Sequence, residues 1–276
     1  MMLFEVALQV LREAVRRRWV LALFIGITGM LLLLSFTLQL EVVDGALAAS
    51  RLFGKVLGIG AEDAEVALRP LFAAGSALLF YGGLLFGIVA TADFAPRLLE
   101  PGRIEHLLAL PIRRWQLLLG TFLGVLVLCL SAGLYGALCF TVLIGTKTGF
   151  WMWQLFGSAL LCTVAFASIY AVMLGSVTWV RSAATSAALG GVMFILGIIA
   201  SNRVAIAPFI TEGWGRTGFE AVTSVVPRIA SLGLLAAHPD LDPERLAQLP
   251  TLLVGMGLFT VAVLTLALSN FESKDY

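Results

Sequence analysis

The stretch Pro70–Ala92 reads PLFAAGSALLFYGGLLFGIVATA, with Arg69 before it, Asp93 after it and no charge between. A helix needs ~20 mostly apolar residues to cross the hydrocarbon core of a bilayer. Backbone N–H and C=O groups find no water there, so such a run must satisfy them within a helix. Five more stretches read the same way: Val20–Leu40, Trp115–Thr146, Thr148–Val180, Ser182–Asn202 and Leu246–Phe271. The 276 residues are 60% hydrophobic and 13% charged, against ~25% charged for a soluble domain. The expected fold is an all-α membrane protein with six transmembrane helices, a single domain over residues 1–276.

The segments between the runs refine this picture. Leu3–Trp19 is amphipathic at helical spacing. Phe4, Ala7, Leu11 and Ala14 form one stripe flanked by Leu3, Val6, Val10 and Val15, opposite Glu5, Gln9, Arg12, Glu13 and Arg16. It is expected to lie on the membrane surface as an interfacial helix over 1–19. Glu41–Arg69 is expected as an external loop, and 97–114 as a short internal segment. The external segment 203–249 has an apolar middle, Phe219–Ala237, interrupted by Pro227 and Arg228. It is expected to form a re-entrant or surface helical segment before the last span rather than a seventh crossing. Basic residues in short segments dominate orientation. They are densest beside the spans near the N-terminus, in 97–114 and at Arg181, which places both termini in the cytoplasm.

The catalytic inventory is nearly empty. The two histidines, His106 and His238, lie outside the spans, and there is no P-loop, H-E-x-x-H or G-x-S-x-G. Cys129, Cys139 and Cys162 lie inside apolar runs without metal-ligand spacing, so no metal site is expected. The net charge of +1 argues against a nucleic-acid partner. Intramembrane ionisable residues mark ion and proton relays. Here the span interiors lack them, and Asp93 at a helix end reads as a charge reaching the interface. No cofactor is expected in this chain, and any energy input has to come from a partner.

Glu100-Pro101-Gly102-Arg103-Ile104-Glu105-His106-Leu107-Leu108-Ala109-Leu110-Pro111-Ile112-Arg113-Arg114 reads as a Pro-Gly turn, a short amphipathic helix and a proline break. Leu residues and charges share one small protrusion, suited to docking in a groove of a soluble partner. This segment resembles the motif between the second and third spans of type-two permeases of ATP-binding-cassette (ABC) transporters. Glu100, Gly102, Ile104, Glu105, Leu107, Leu108, Pro111, Arg114 and Gly120 match that pattern. Arg103 replaces the usual Thr, and Thr121 stands where a Lys is common. Length and layout are also similar to the nitrous oxide reductase maturation permeases, although no residue singles out that subgroup.

The resemblance implies a permease subunit in the bacterial inner membrane, an exporter working as a homodimer with a second permease copy. It also implies an ABC ATPase subunit that binds ATP and Mg, docked on Glu100, Gly102, Ile104, Glu105, Leu107, Leu108, Pro111 and Arg114. The second and fifth spans would line the path, with Ser76, Tyr81, Gly83, Gly87 and Thr91 as candidate lining. Close helix packing by small residues explains the glycines equally well. An apolar lining suggests an amphipathic or lipid-linked cargo. The alternative is a relay of ATP-driven motion to an external accessory protein through the 203–249 segment.

Overall fold

The structure, a computed structural model, describes residues 2–16, 19–43, 46–52, 55–56, 64–98, 113–210, 213–237 and 246–273. Helices dominate, and each charge-free run is carried mainly by helix. Helix α1 spans Met2–Arg16 and α2 spans Trp19–Thr37. The second run becomes one helical segment, Arg69–Arg97, at the end of a helix that begins at Ala64. Within it α3 (Ala64–Ala77) passes through a wide π-turn at Leu78–Gly82 into α4 (Gly83–Thr91) and α5 (Phe94–Leu98). Then come α6 (Arg114–Thr148), α7 (Gln154–Val177) and α8 (Ala183–Ser201). A short turn of helix, α9 (Arg203–Ile206), leads to α10 (Trp214–Val225), α11 (Ile229–Ala237) and α12 (Leu249–Glu272).

Among the described residues, five helical segments are long and apolar enough to cross a bilayer: Arg69–Arg97, α6, α7, α8 and α12. The α10–α11 pair makes a sixth if it is counted as one span, although it is bent by 54°. The bend falls at Pro227, whose ring cannot continue a helix, so the sequence break appears as an elbow. The charge-free helix α2 carries the first expected run.

The segment after α2, expected as an external loop, holds more order than a loop. Strands β1 (Leu38–Val43), β2 (Ala46–Leu52) and β3 (Lys55–Val56) form an antiparallel meander in the order β1-β2-β3. Leu38 pairs with Leu52 and Val43 with Ala46, and the register shifts between Glu41 and Val42.

Helix α7 sits at the centre. Phe166, Ile169, Tyr170, Ala171 and Met173 on it are fully buried. The elements α3–α4, α6, α8, α11 and α12 all pack against it. A second cluster forms among Phe72, Ala137, Phe140, Ile144, Met152, Leu155 and Ala159, near the turn between α6 and α7. That turn closes on Gly149, whose φ of 78° is left-handed and whose N–H donates to the Gly145 carbonyl. Glycine takes this conformation at little cost.

The stripe of α1 faces protein. Val6, Ala7, Val10 and Ala14 are buried, while Val15 is exposed. The burial centre is therefore rotated slightly from the stripe read in the sequence. A Cβ on Gly124 of α6 would stand 2.9 Å from Val10 Cβ and 3.0 Å from the Ala7 carbonyl oxygen. The missing side chain lets the two helices touch. Helix α2 continues along α6, where the Phe24 and Tyr135 rings meet edge to face at 4.6 Å and the Thr28 and Tyr135 hydroxyls bond at 2.7 Å.

Candidate functional site

Ser76, Gly83, Gly87 and Thr91 share one side of the second span, which faces the interior of the chain, and Tyr81 points off it. Ser76 and Thr91 are buried, and the Thr91 hydroxyl donates to the Gly87 carbonyl at 2.7 Å. A Cβ on Gly83 would lie 3.0 Å from Cys162 Sγ, and one on Gly87 would lie 2.8 Å from the Phe166 ring. Both neighbours belong to α7. Tyr81 turns toward α11, where a Cβ on Gly233 would come within 2.5 Å of its hydroxyl oxygen. Its ring also meets Phe80 and Phe194 edge to face, at 5.2 Å and 6.5 Å. In the single chain these positions are filled by helix packing.

The π-turn sets this geometry. Its wider turn presents the Phe80 carbonyl to α7, where Cys162 Sγ–H donates to it at 3.4 Å. Such turns are uncommon inside helices and occur often at functional sites. Nothing in the residues Leu78–Gly82 distinguishes them from an ordinary apolar helix.

The open face of the second span carries Leu78, Leu85, Phe86 and Val89, the last 70% exposed. On α8 the open face carries Leu189, Val192 and Ile195. The two spans are neighbours. A Cβ on Gly190 would lie 3.0 Å from Ile88, and the Tyr81 and Phe194 rings meet across the same seam. Side by side they present an apolar wall with no charge.

Of the expected docking residues, Glu100, Gly102, Ile104, Glu105, Leu107, Leu108 and Pro111 lie outside the described residues. Their flanks are ordered. The chain enters α6 at Arg113, whose N–H donates to the Gln116 side chain at 3.1 Å. Arg114 Nη1 donates to the Glu272 carbonyl at 3.3 Å, joining the start of α6 to the end of α12. Gly120 is buried against the core. Asn270 of α12 donates to the Thr178 hydroxyl at 2.7 Å, tying in the end of α7. Asp93 pairs with Arg97 one turn on, at 2.9 Å, with both side chains about half exposed. It sits between α4 and α5 with its counter-charge. No cluster that could hold a metal ion occurs among the described residues.

The α10–α11 elbow is bound to two spans. The Ser158 hydroxyl of α7 donates to the Ala236 carbonyl at 2.8 Å, and the Ser231 N–H donates to Ser201 Oγ of α8 at 3.1 Å. A Cβ on Gly197 would overlap the Ile229 side chain, so α8 and α11 are in close contact.

Apolar helices thus surround α7, and an apolar elbow is bound to α7 and α8. The chain belongs to the family described as ABC-2 family transporter protein, which it matches over residues 5–276. Membership makes it an integral membrane permease subunit of an ABC transporter, a class that works with an ABC ATPase. No curated protein matches the chain.

Proposed function

We propose that the chain is a six-span permease in the bacterial inner membrane. Two copies pair, and a separate ATPase subunit drives export of an amphipathic or lipid-linked cargo. The observation that supports this most is the joined apolar wall of the second span and α8, at Leu85, Val89, Val192 and Ile195. Charge-free walls favour apolar cargo and disfavour bare ions or sugars, whose desolvation they could not offset. The path-lining role moves to this wall, while Ser76, Tyr81, Gly83, Gly87 and Thr91 hold the wall in place from behind. The second copy faces the wall, and both termini lie in the cytoplasm. Glu105 and Arg114 contact the ATPase, which binds ATP and Mg, and Leu107 and Leu108 fill its groove.

The purified chain then hydrolyses no ATP alone and stimulates a cognate ATPase in a reconstituted complex. Val89→Trp and Val192→Trp slow transport in that complex, whereas Val254→Trp on the exposed side of α12 leaves it unchanged. Equal effects at all three positions would reject the wall as the path.

A second reading is favoured by the two hydrogen bonds that fix the elbow to α7 and α8. Through them, motion of the spans reaches the external segment and any accessory protein docked on it. Similar length and layout to the nitrous oxide reductase maturation permeases fit that relay. Loss of function on removing 240–245, in a complex that still binds its ATPase, would select the relay over transport.

A further inference from the structure

Cys129 and Cys162 share the contact between α6 and α7. The register of these antiparallel helices is fixed on both sides of the two cysteines. The Phe122 and Tyr170 rings stack at 6.0 Å. A Cβ on Gly133 would lie 3.3 Å from Ala159 Cβ. Cys129 stands seven residues after Phe122 and four before Gly133, on the same face of α6. The matching position on α7, seven before Tyr170 and four after Ala159, is Thr163, and Cys162 is its neighbour. The Cys129 thiol accordingly lies within hydrogen-bonding reach of Cys162 and of the Thr163 hydroxyl. Cys162 is buried, and Cys129 packs against the same core.

The third cysteine stands apart. Cys139 is ten residues beyond Cys129 on α6, ~15 Å along the axis. A disulfide spans at most ~7 Å between Cα atoms. Cys129 is 15 residues from Arg114 and 18 from Lys147, which puts the pair near the middle of the span. Ionic oxidants do not dissolve at that depth, and a lipid-soluble quinone does. Cys162 also braces the π-turn, through the 3.4 Å bond from Sγ–H to the Phe80 carbonyl.

We propose that Cys129 and Cys162 form an oxidisable thiol pair that closes to a disulfide between α6 and α7, with a lipid-soluble quinone as the oxidant. Both S–H bonds break and one S–S bond forms. Two electrons and two protons pass to the quinone, which leaves as the hydroquinone. The bridge ties α6 to α7 and takes the S–H donor away from the Phe80 carbonyl. This assignment is independent of what the permease moves.

The test uses the full chain in phosphatidylcholine vesicles, exposed to tetramethylbenzoquinone, whose substituted ring resists lasting thiol addition. Thiols are counted after denaturation, and linked peptides are mapped by mass spectrometry. The count falls from three thiols per chain to one, the survivor is Cys139, and the mapped link joins Cys129 to Cys162. Dithiothreitol added to the denatured chain restores all three thiols. Cys139→Ser forms the same link as wild type, whereas Cys129→Ser and Cys162→Ser each keep both remaining thiols. Survival of all the thiols in the folded wild-type chain would show a packed pair that cannot bridge, and overturns the proposal. A link that involves Cys139, links only between chains, or thiol loss in Cys162→Ser at the wild-type rate overturns it as well.

Discussion

Gly87→Ala separates packing from path lining at the heart of the second span. The added Cβ would stand 2.8 Å from the Phe166 ring, about 0.6 Å inside the 3.4 Å at which ordinary contact begins. Phe166 has little room to retreat. It is fully buried and stacks on Tyr170 at 5.7 Å, and Tyr170 stacks on Phe122 at 6.0 Å. Overpacking of this kind costs about 1–3 kcal/mol. Replacing Gly by Ala inside a helix returns about 1 kcal/mol. The net expectation is a loss of about 1 kcal/mol, roughly a fivefold fall in the folded-to-unfolded ratio. Phe166→Leu alone costs about 1–2 kcal/mol through lost burial and residual cavity. The double variant, with room for the new methyl, is no less stable than Phe166→Leu alone, a coupling of about 1 kcal/mol. Thermal or denaturant unfolding of the four proteins in one detergent reads this cycle directly. Full stability of Gly87→Ala, with strict additivity in the double variant, would refute the packing reading. Gly87 would then face open space, as a path-lining residue should.

Three further outcomes follow from the same contacts. Among the described residues the buried Tyr170 hydroxyl has no hydrogen-bond partner, so Tyr170→Phe removes an unmet polar group and raises stability by about 1–3 kcal/mol or leaves it unchanged; a clear drop in Tm would mean that the hydroxyl has a partner. Asp93→Asn changes stability by less than about 1 kcal/mol, since the Arg97 pair is half exposed. It also leaves the pH profile of transport as in wild type, and a shifted profile would make Asp93 a coupling group. A cysteine introduced as Ala61→Cys reacts with an impermeant thiol reagent added from outside intact cells, and labelling only after the inner side is opened would invert the topology.

The helices were legible because a bilayer leaves a chain few options. Charges at Arg69, Arg97, Arg114 and Lys147 bracket the long runs, and the observed helices end beside them. The elbow was legible at Pro227 for the same local reason. Which face of a span meets protein was not legible. In a charge-free helix both faces are apolar, so periodicity marks Ser76, Gly83, Gly87 and Thr91 as one side without saying whether α7 or a second copy lies against it. The aromatic stack of Phe122, Phe166 and Tyr170 decides that, and it arises from residues distant in the chain. The π-turn has no composition of its own. The β1–β2 pairing leaves only a short signal, Leu38, Leu40 and Val42 alternating with Gln39 and Glu41, and its first half merges with the charge-free run that ends at Leu40. The docking segment, from Glu100 to Pro111, rests on sequence resemblance alone.

The packing of α1 on α6 has a consequence for bilayer thickness. Crossing a ~30 Å core at a steep tilt of about 40° uses about 26 residues. Helix α6 has 35, with Arg114 and Lys147 as its terminal charges. The 32 residues between those charges exceed that length by about six, a hydrophobic mismatch that lipid alone would meet by thickening. The buried stripe of α1, seated on Gly124, covers the first third of this helix with protein instead. Removing residues 1–16 would therefore make the chain sensitive to acyl-chain length. The truncated form should sort into, and work best in, thicker membranes than the intact one tolerates.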